Sequence, residues 1–172
     1  MNRVITYLAG EIISTNDSLA HSLYKKSWFG EPTGDKIRYS FSEALYLLEK
    51  GKIEILFKNK KISFKDLLKK LERKDTKISL KYTIFKNLRD RGYIPKTALK
   101  FGADFRIYEK GAKLRNKHAK WLLFAEHESK KLSWHDFSAK NRVAHSTRKN
   151  LLIAIVDEED KITYYEVSWI KP

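Results

Sequence analysis

The stretch Phe101-Gly-Ala-Asp-Phe-Arg-Ile-Tyr108 decides how the second half of the chain folds. Residues 104–109 are typical of a β-strand, and strand-like segments at 93–95 and 118–125 lie on either side of it. Strands are therefore a main component of this half.

Helices are predicted before and after these strands. Leu80, Ile84, Phe85 and Leu88 form one apolar helix face, and Gly92 suits the left-handed position that follows a helix. The remaining elements of this half are a helix beginning at Ser133-Trp-His-Asp136 and running to about Arg148, a β-rich run at 151–156, a turn at 157–160, and a closing strand at 162–170.

The first half of the chain has its own set of elements. These are strands at 3–8, 11–14 and 53–57, a helix opened by the capping box Ser40-Phe-Ser-Glu43, and a helix opened by Ser63-Phe-Lys-Asp66. Residues 15–36 are predicted to be irregular because Asn16, Asp17, Gly30 and Pro32 interrupt them. The predicted fold class is α+β, with an N-terminal mixed α/β domain at 1–78 and a C-terminal α/β domain at 79–172.

Positive charge is concentrated in one stretch of the chain. The 172 residues carry a formal charge of +15, and residues 81–149 alone carry +12. Such a concentration is typical of a surface that binds a polyanion, although a lysine-rich solvated surface, as in thermophilic proteins, gives the same total. Aromatic residues make up 13% of the chain and offer both core residues and stacking surfaces for nucleic-acid bases.

Several classes of protein are excluded or disfavoured by what the sequence lacks. There is no cysteine, so disulfides, thiolate metal sites and cysteine nucleophiles are excluded. No phosphate-binding loop, dinucleotide fingerprint or zinc-protease motif is present, and we expect no cofactor. The carboxylates Asp104 and Glu109 do not form an obvious metal motif. No signal peptide or membrane-spanning run is seen, so a soluble cytoplasmic protein is expected.

The residues that remain suit cleavage of RNA without a metal ion. RNA supplies its own nucleophile, the 2′-hydroxyl, so the protein needs a base, an acid and a cation. His118 is a suitable acid, Lys149 or Arg148 a suitable cation, and Tyr108 a base if cations surround it. Taken singly, each has a structural explanation, as a packed aromatic, a structural histidine or a solvated cation.

Residues 82–161 resemble the catalytic domain of the archaeal-type tRNA-splicing endonucleases. The resemblance rests on ordered segments at matching spacing, namely Phe85-Lys-Asn-Leu-Arg-Asp-Arg-Gly-Tyr93, Phe101 to Tyr108, His118-Ala-Lys-Trp-Leu-Leu123, Arg142-Val-Ala-His-Ser-Thr-Arg-Lys149, Leu151-Leu-Ile-Ala-Ile-Val-Asp157 and Tyr164-Tyr165. Upstream, Phe41-Ser-Glu-Ala-Leu-Tyr-Leu-Leu48 with Gly51 is similar to the N-terminal domain of the same family.

The resemblance implies a nuclease-type C-terminal domain and a role for each candidate residue. Tyr108 would be the general base, His118 the general acid, and Lys149 the cation that stabilises the transition state. The products would carry a 2′,3′-cyclic phosphate and a 5′-hydroxyl. Arg142 matches the arginine of a cation–π clamp on a flipped base, and Tyr164 is a weaker candidate for its stacking partner.

The resemblance also implies precursor tRNA as the substrate and an assembly with two active sites. Ile162 to Ile170 is the candidate for strand pairing between subunits, and Glu126 and Glu128 lie in the loop that would insert into a neighbour. Lys130 and Lys131 dilute the charge of that loop. A homotetramer and a heterotetramer with a paralogous structural subunit therefore both stay open.

Two other functions compete with the splicing nuclease. A non-catalytic RNA-binding module, or a structural subunit, explains the charge and the aromatic residues but leaves the co-occurrence of Tyr108, His118 and Lys149 unexplained. A metal-dependent DNA nuclease would require converging carboxylates, which no motif indicates.

Overall fold

Two separate β-sheets organise the chain in the computed structural model, which describes residues 3–112 and 118–170. The chain divides into two compact units, Met1–Tyr82 and Thr83–Pro172, here called unit 1 and unit 2. Helices accompany a mixed sheet in each unit, and the fold class is α+β. None of the helices in the described residues is long and apolar enough to cross a membrane.

Unit 1 is built on a six-stranded sheet. Its elements are β1 Val4–Ala9, β2 Glu11–Ser14, α1 Ser18–Ser27, β3 Glu31–Thr33, β4 Lys36–Tyr39, α2 Phe41–Glu49, β5 Ile53–Phe57, β6 Lys60–Lys61 and α3 Phe64–Glu72. The strand order is β3-β4-β2-β1-β5-β6, and only the β1–β5 pair is parallel. Val4, Ile12, Ile37, Ile53 and Ile55 are at most 1% exposed, so alternate residues of the strands form the core.

The prediction that residues 15–36 are irregular is wrong. This segment contains α1, β3 and β4. Asp17 does not interrupt the chain but begins a helix, because its carboxylate accepts a hydrogen bond from the Leu19 N–H at 2.8 Å. The same residue types mark helix starts and loops, so the sequence alone did not separate the two.

A buried carboxylate joins α2 to the loop before β3. The predicted capping box is confirmed, since Ser40 accepts from the Glu43 N–H while the Glu43 carboxylate accepts from the Ser40 N–H at 2.9 Å. The other oxygen of Glu43 accepts from the Gly30 N–H at 3.0 Å. Gly30 has φ +77°, and a Cβ there would lie 2.2 Å from the Ile37 Cγ2, so only glycine fits.

Unit 2 is built on a five-stranded sheet. The elements from residue 78 onward are α4 Ile78–Asp90, β7 Ile94–Ala98, a 3₁₀ turn Leu99–Phe101, β8 Ala103–Tyr108, β9 Trp121–His127, α5 Trp134–Ser146, β10 Asn150–Val156 and β11 Ile162–Val167. The division between the units falls within α4. The strand order is β11-β10-β9-β8-β7, with β9 and β10 parallel and the other pairs antiparallel.

The two faces of this sheet pack against different helices. On one face Leu122, Phe124, Leu151 and Ile153 form a cluster with Ala144 of α5. On the other face Phe105 of β8 contacts Phe85 of α4, with ring centroids 5.9 Å apart. Because neighbouring residues of a strand point to opposite faces, each strand contributes side chains to both layers.

Candidate active site

Two backbone hydrogen bonds align the ends of three strands of unit 2. The Lys120 N–H donates to the Ile107 carbonyl at 2.9 Å, and the Asn150 N–H donates to the Lys120 carbonyl at 3.0 Å. The end of β8 therefore lies beside the beginnings of β9 and β10, with neighbouring strands about 4.8 Å apart. The residues next to this row include Tyr108 and Lys149, and His118 lies two residues before Lys120.

Tyr108 is the last residue of β8 and is half-buried. It shares a strand face with Arg106, two residues earlier, and Arg106 pairs with Leu122 of β9. Since Leu122 belongs to the cluster around Ala144, Tyr108 and Arg106 lie on the face that α5 covers.

Lys149 follows α5 and precedes β10. The chain turns through Arg148, whose φ is +55°, and the Lys149 N–H donates to the Ala144 carbonyl at 2.9 Å. The Lys149 ammonium donates to the Thr147 carbonyl at 2.8 Å and lies 5.4 Å from the centroid of the Phe101 ring. Burial, and secondarily the positive charge of Arg106, lower the pKa of Lys149 below its ordinary value.

His118 is exposed and precedes β9, which begins at Trp121 rather than at the predicted residue 118. The next residue, Ala119, is only 4% exposed and fixes the local backbone. His118 thus precedes β9 at the end of the sheet where β8 ends and β10 begins, and its side chain is exposed to solvent.

The two carboxylates near this row each have their own partner. Asp104 accepts from the Ala125 N–H at 2.8 Å, and Glu109 forms an ion pair of 3.1 Å with Lys120. Across residues 3–112 and 118–170, no group of three histidine, aspartate or glutamate side chains is arranged to hold a metal ion.

A cavity of about 490 Å³ lies along α5 beside Arg142. Its wall includes His145 and Trp169, whose ring centroids are 4.2 Å apart. Arg142 is exposed, and Trp169 keeps 60% of its surface accessible. Trp169 was not among the predicted site residues. It was predicted to belong to the closing strand at 162–170, but β11 ends at Val167. The cavity brings a cation and an aromatic face together.

Tyr164 lies on the other face of the sheet. It pairs with Ala154, which directly follows Ile153 of the α5-covered face. Its hydroxyl donates to the Asn87 side chain at 3.1 Å, and burial raises its pKa to about 12. The structure therefore does not bring Tyr164 to Arg142.

Two features were predicted to take part in assembly, the loop glutamates and the closing strand. Both glutamates have partners within the described residues, and the closing strand lies at the edge of its sheet. Glu126 lies 3.9 Å from the Lys140 ammonium, and Glu128 accepts from the Glu158 N–H at 3.1 Å. Strand β11 is at the edge of its sheet, so one side of its backbone is available for pairing.

Comparison with known proteins identifies similar chains along the whole length. Residues 78–164 match the model of the tRNA intron endonuclease catalytic C-terminal domain, and residues 4–68 match that of the tRNA intron endonuclease N-terminal domain. A tRNA-splicing endonuclease of Pyrococcus abyssi is 44% identical over 99% of both chains. That of Pyrococcus horikoshii is 45% identical over 96% of this chain and 95% of the relative. That of Methanothermobacter thermautotrophicus is 37% identical over 99% of both.

Proposed function

The chain belongs to the tRNA intron endonuclease family and is a tRNA-splicing endonuclease, and we propose that it cuts precursor tRNA at bulge-helix-bulge sites without a metal ion. The cut leaves a 2′,3′-cyclic phosphate and a 5′-hydroxyl. The observation that carries the proposal is the row of backbone hydrogen bonds from Ile107 through Lys120 to Asn150. This row aligns the three segments that contain Tyr108, His118 and Lys149.

Each of these three residues has a chemical role in the proposed reaction. The Tyr108 side chain, acting as the phenolate, takes the proton of the ribose 2′-hydroxyl and becomes a phenol, while the 2′-oxygen attacks the adjacent phosphorus. The bond from phosphorus to the 5′-oxygen breaks, and the His118 imidazolium donates its proton to that leaving oxygen. The Lys149 ammonium stabilises the negative charge on the non-bridging oxygens. Solvent then returns the tyrosine and the histidine to their starting protonation states.

The environment of Lys149 supports its role as a fixed cation. Its ammonium is held by the Thr147 carbonyl and packs near the Phe101 ring, so little rearrangement is required when charge develops on the phosphate. Partial burial strengthens its electrostatic interaction with a phosphate that displaces water. Arg106, which shares a face of β8 with Tyr108, adds a second positive charge that acts on Lys149.

Arg142 and Arg148 are proposed to bind the RNA around the cut. Both are exposed. Arg142 lies on α5, and Arg148 lies in the turn between α5 and Lys149. Arginine binds phosphates through several N–H donors and also stacks on bases. The exposed ring of Trp169 in the same cavity makes it a more suitable stacking partner for Arg142 than Tyr164.

The active unit is proposed to be an assembly, either of copies of this chain or with a paralogous structural subunit. The edge position of β11 supports pairing between subunits through that strand. Mass measurement of the chain alone and with a partner subunit separates the two forms.

The test is cleavage of a precursor tRNA in the presence of EDTA, with the ends of the products identified. We expect two cuts, each leaving a cyclic phosphate that resists a 3′-ligation reaction and a 5′ end that accepts phosphate from a kinase. Activity that disappears with EDTA and returns with Mg²⁺, or products with 5′-phosphates, would contradict the proposal.

A further inference from the structure

Nearly all the excess positive charge of unit 1 comes from one short stretch. Residues 57–74 contain eight lysine or arginine residues and two carboxylates. The other residues up to position 80 contain eight basic and eight acidic residues and are therefore neutral overall. A lysine-rich surface that served only solubility would not require this concentration.

The stretch folds so that its cations face one another across an open cleft. The hairpin of β5 and β6 forms one wall and α3 forms the other, around a space of about 460 Å³, here called the basic cleft. Its basic lining residues are Lys58, Lys60, Lys61, Lys69, Lys70 and Arg73.

Few of these charges are neutralised by the protein. Asp66 is the one carboxylate among the lining residues, and it accepts a hydrogen bond of 2.6 Å from the Ser63 hydroxyl. Lys61 forms an ion pair of 2.8 Å with Glu54. Within residues 3–112 and 118–170, Lys60, Lys69 and Arg73 have no ion-pair partner.

The walls of the cleft are also fixed in place. The Lys70 ammonium lies 3.9 Å from the centroid of the Phe57 ring, which joins α3 to the hairpin. At the hairpin tip Lys58 has φ +50°, a conformation that costs a residue other than glycine about 1 kcal/mol. Repulsion among the lining lysines and the strained backbone of Lys58 both oppose this arrangement. An arrangement of this kind is expected of a site that binds an anion.

We propose that the basic cleft binds the sugar-phosphate backbone of precursor tRNA at a place other than the splice site. This inference rests on the proposed function, which supplies the RNA. Ammonium and guanidinium groups bind phosphates regardless of sequence, and such binding releases counterions. All residues of the cleft belong to unit 1, whereas Tyr108, His118 and Lys149 belong to unit 2. None of the three residues proposed for catalysis lines the cleft, so the proposed contribution of the cleft is to affinity for the body of the tRNA.

The test compares two variants of the full chain on two RNAs. The cleft variant replaces Lys60, Lys69 and Arg73 by glutamine. The control variant replaces Lys25, Lys26 and Lys36, which are exposed residues of unit 1 outside the cleft, by glutamine and loses the same charge. The RNAs are a complete precursor tRNA and a short duplex that contains only the splice-site bulges.

We expect the cleft variant to bind the precursor tRNA at least about 10-fold more weakly. The slope of log affinity against log salt should fall by about 2 to 3, because three phosphate contacts are lost. The single-turnover cleavage rate at saturating RNA, and the affinity for the short duplex, should match those of the unchanged chain. The control variant should bind both RNAs normally.

Equal weakening on both RNAs, unchanged binding of the precursor tRNA, or an equal loss in the control variant would each overturn the inference. If the triple variant does not fold, the single change Lys60→Gln, at an exposed strand residue, is measured on the same RNAs with Lys36→Gln as its control. The proposed function fails separately, when the unchanged chain cleaves neither RNA in EDTA.

Discussion

Helix α2 of unit 1 and helix α5 of unit 2 differ in how much of their surface they bury. Helix α2 of unit 1 has nine residues and buries Ser42, Glu43, Ala44, Leu45 and Leu47. Helix α5 of unit 2 has thirteen residues, yet Ala144 is the one that it buries. Both helices pack on a mixed sheet. Most residues of α2 are buried in the core, whereas most of the surface of α5 is exposed to solvent. The helix that leads to the proposed site therefore buries fewer apolar side chains in the core than the helix that stabilises unit 1.

The largest effect expected from this contrast is on catalysis, through an exposed residue of unit 2. The change His118→Ala should lower the single-turnover cleavage rate by about 10²- to 10⁴-fold, because the leaving oxygen loses its proton donor. The free energy of unfolding should change by less than about 0.5 kcal/mol, since the side chain is exposed. Rates in EDTA and denaturant titration measure the two quantities.

The matched control for this prediction is His21→Ala in unit 1, whose ring nitrogen hydrogen-bonds to the Asp35 carbonyl at 2.9 Å. It should leave the cleavage rate unchanged. A variant at His118 that cleaves at the normal rate would remove this residue from the mechanism.

The next largest effect is on the free energy of unfolding, and a glycine from each unit is compared. The change Gly30→Ala should lower the free energy of unfolding by about 2–5 kcal/mol, because the new Cβ meets Ile37 and the Arg38 carbonyl. The change Gly102→Ala should cost only about 1 kcal/mol, since it has φ +64° but nothing within 4 Å of the Cβ. Equal costs in a denaturant titration would show that backbone conformation alone decides both.

A smaller effect is expected from the caps of two helices. Ser63 at α3 and Ser133 at α5 accept from the N–H groups of Asp66 and Asp136 at 3.2 and 3.1 Å, respectively. Replacing either serine by alanine should cost about 1 kcal/mol of unfolding free energy. Only the Ser133 variant should also slow cleavage, because α5 leads to Lys149. A rate loss of the same size in the Ser63 variant would contradict the separation of roles between the units.

The smallest effect concerns the charge of Lys149. The change Arg106→Gln removes a neighbouring positive charge, so the protonated form of Lys149 becomes easier to keep and its pKa should rise. Burial, the larger cause of the lowered pKa, remains, so the value should stay below that of an ordinary lysine. Carbon NMR titration of the labelled ε position measures the change. A pKa that falls or stays constant would show that Arg106 does not act on Lys149 through charge.

Local signals in the sequence predicted most elements of the fold. Capping residues at Ser40, Ser63 and Ser133 marked three helix starts that the structure confirms. The prediction for residues 15–36 was wrong because Asp17 is the N-cap of a helix, whereas a loop was expected there. The parallel pairs β1–β5 and β9–β10 join residues distant in sequence, and no local signal specifies such a register.

The candidate site was predicted less from local signals than from a resemblance. Tyr108, His118 and Lys149 each have an ordinary structural explanation, and only the order of several segments singled them out. The position of Tyr164 on the α4 face could not be predicted, because the face of a strand residue depends on its register. Trp169 could not be assigned to the site either, because the alternating pattern predicted a strand to residue 170 whereas β11 ends at Val167.

The backbone hydrogen bonds from Ile107 to Lys120 and from Lys120 to Asn150 have an evolutionary consequence. The framework of the proposed site is set by main-chain N–H and carbonyl groups, which every amino acid except proline possesses. A duplicated gene can therefore lose the phenol, the imidazole or the ammonium and still encode a chain that folds in the same way. Such a duplicated gene would encode an inactive paralogue that keeps its binding surfaces, and every intermediate sequence would still fold.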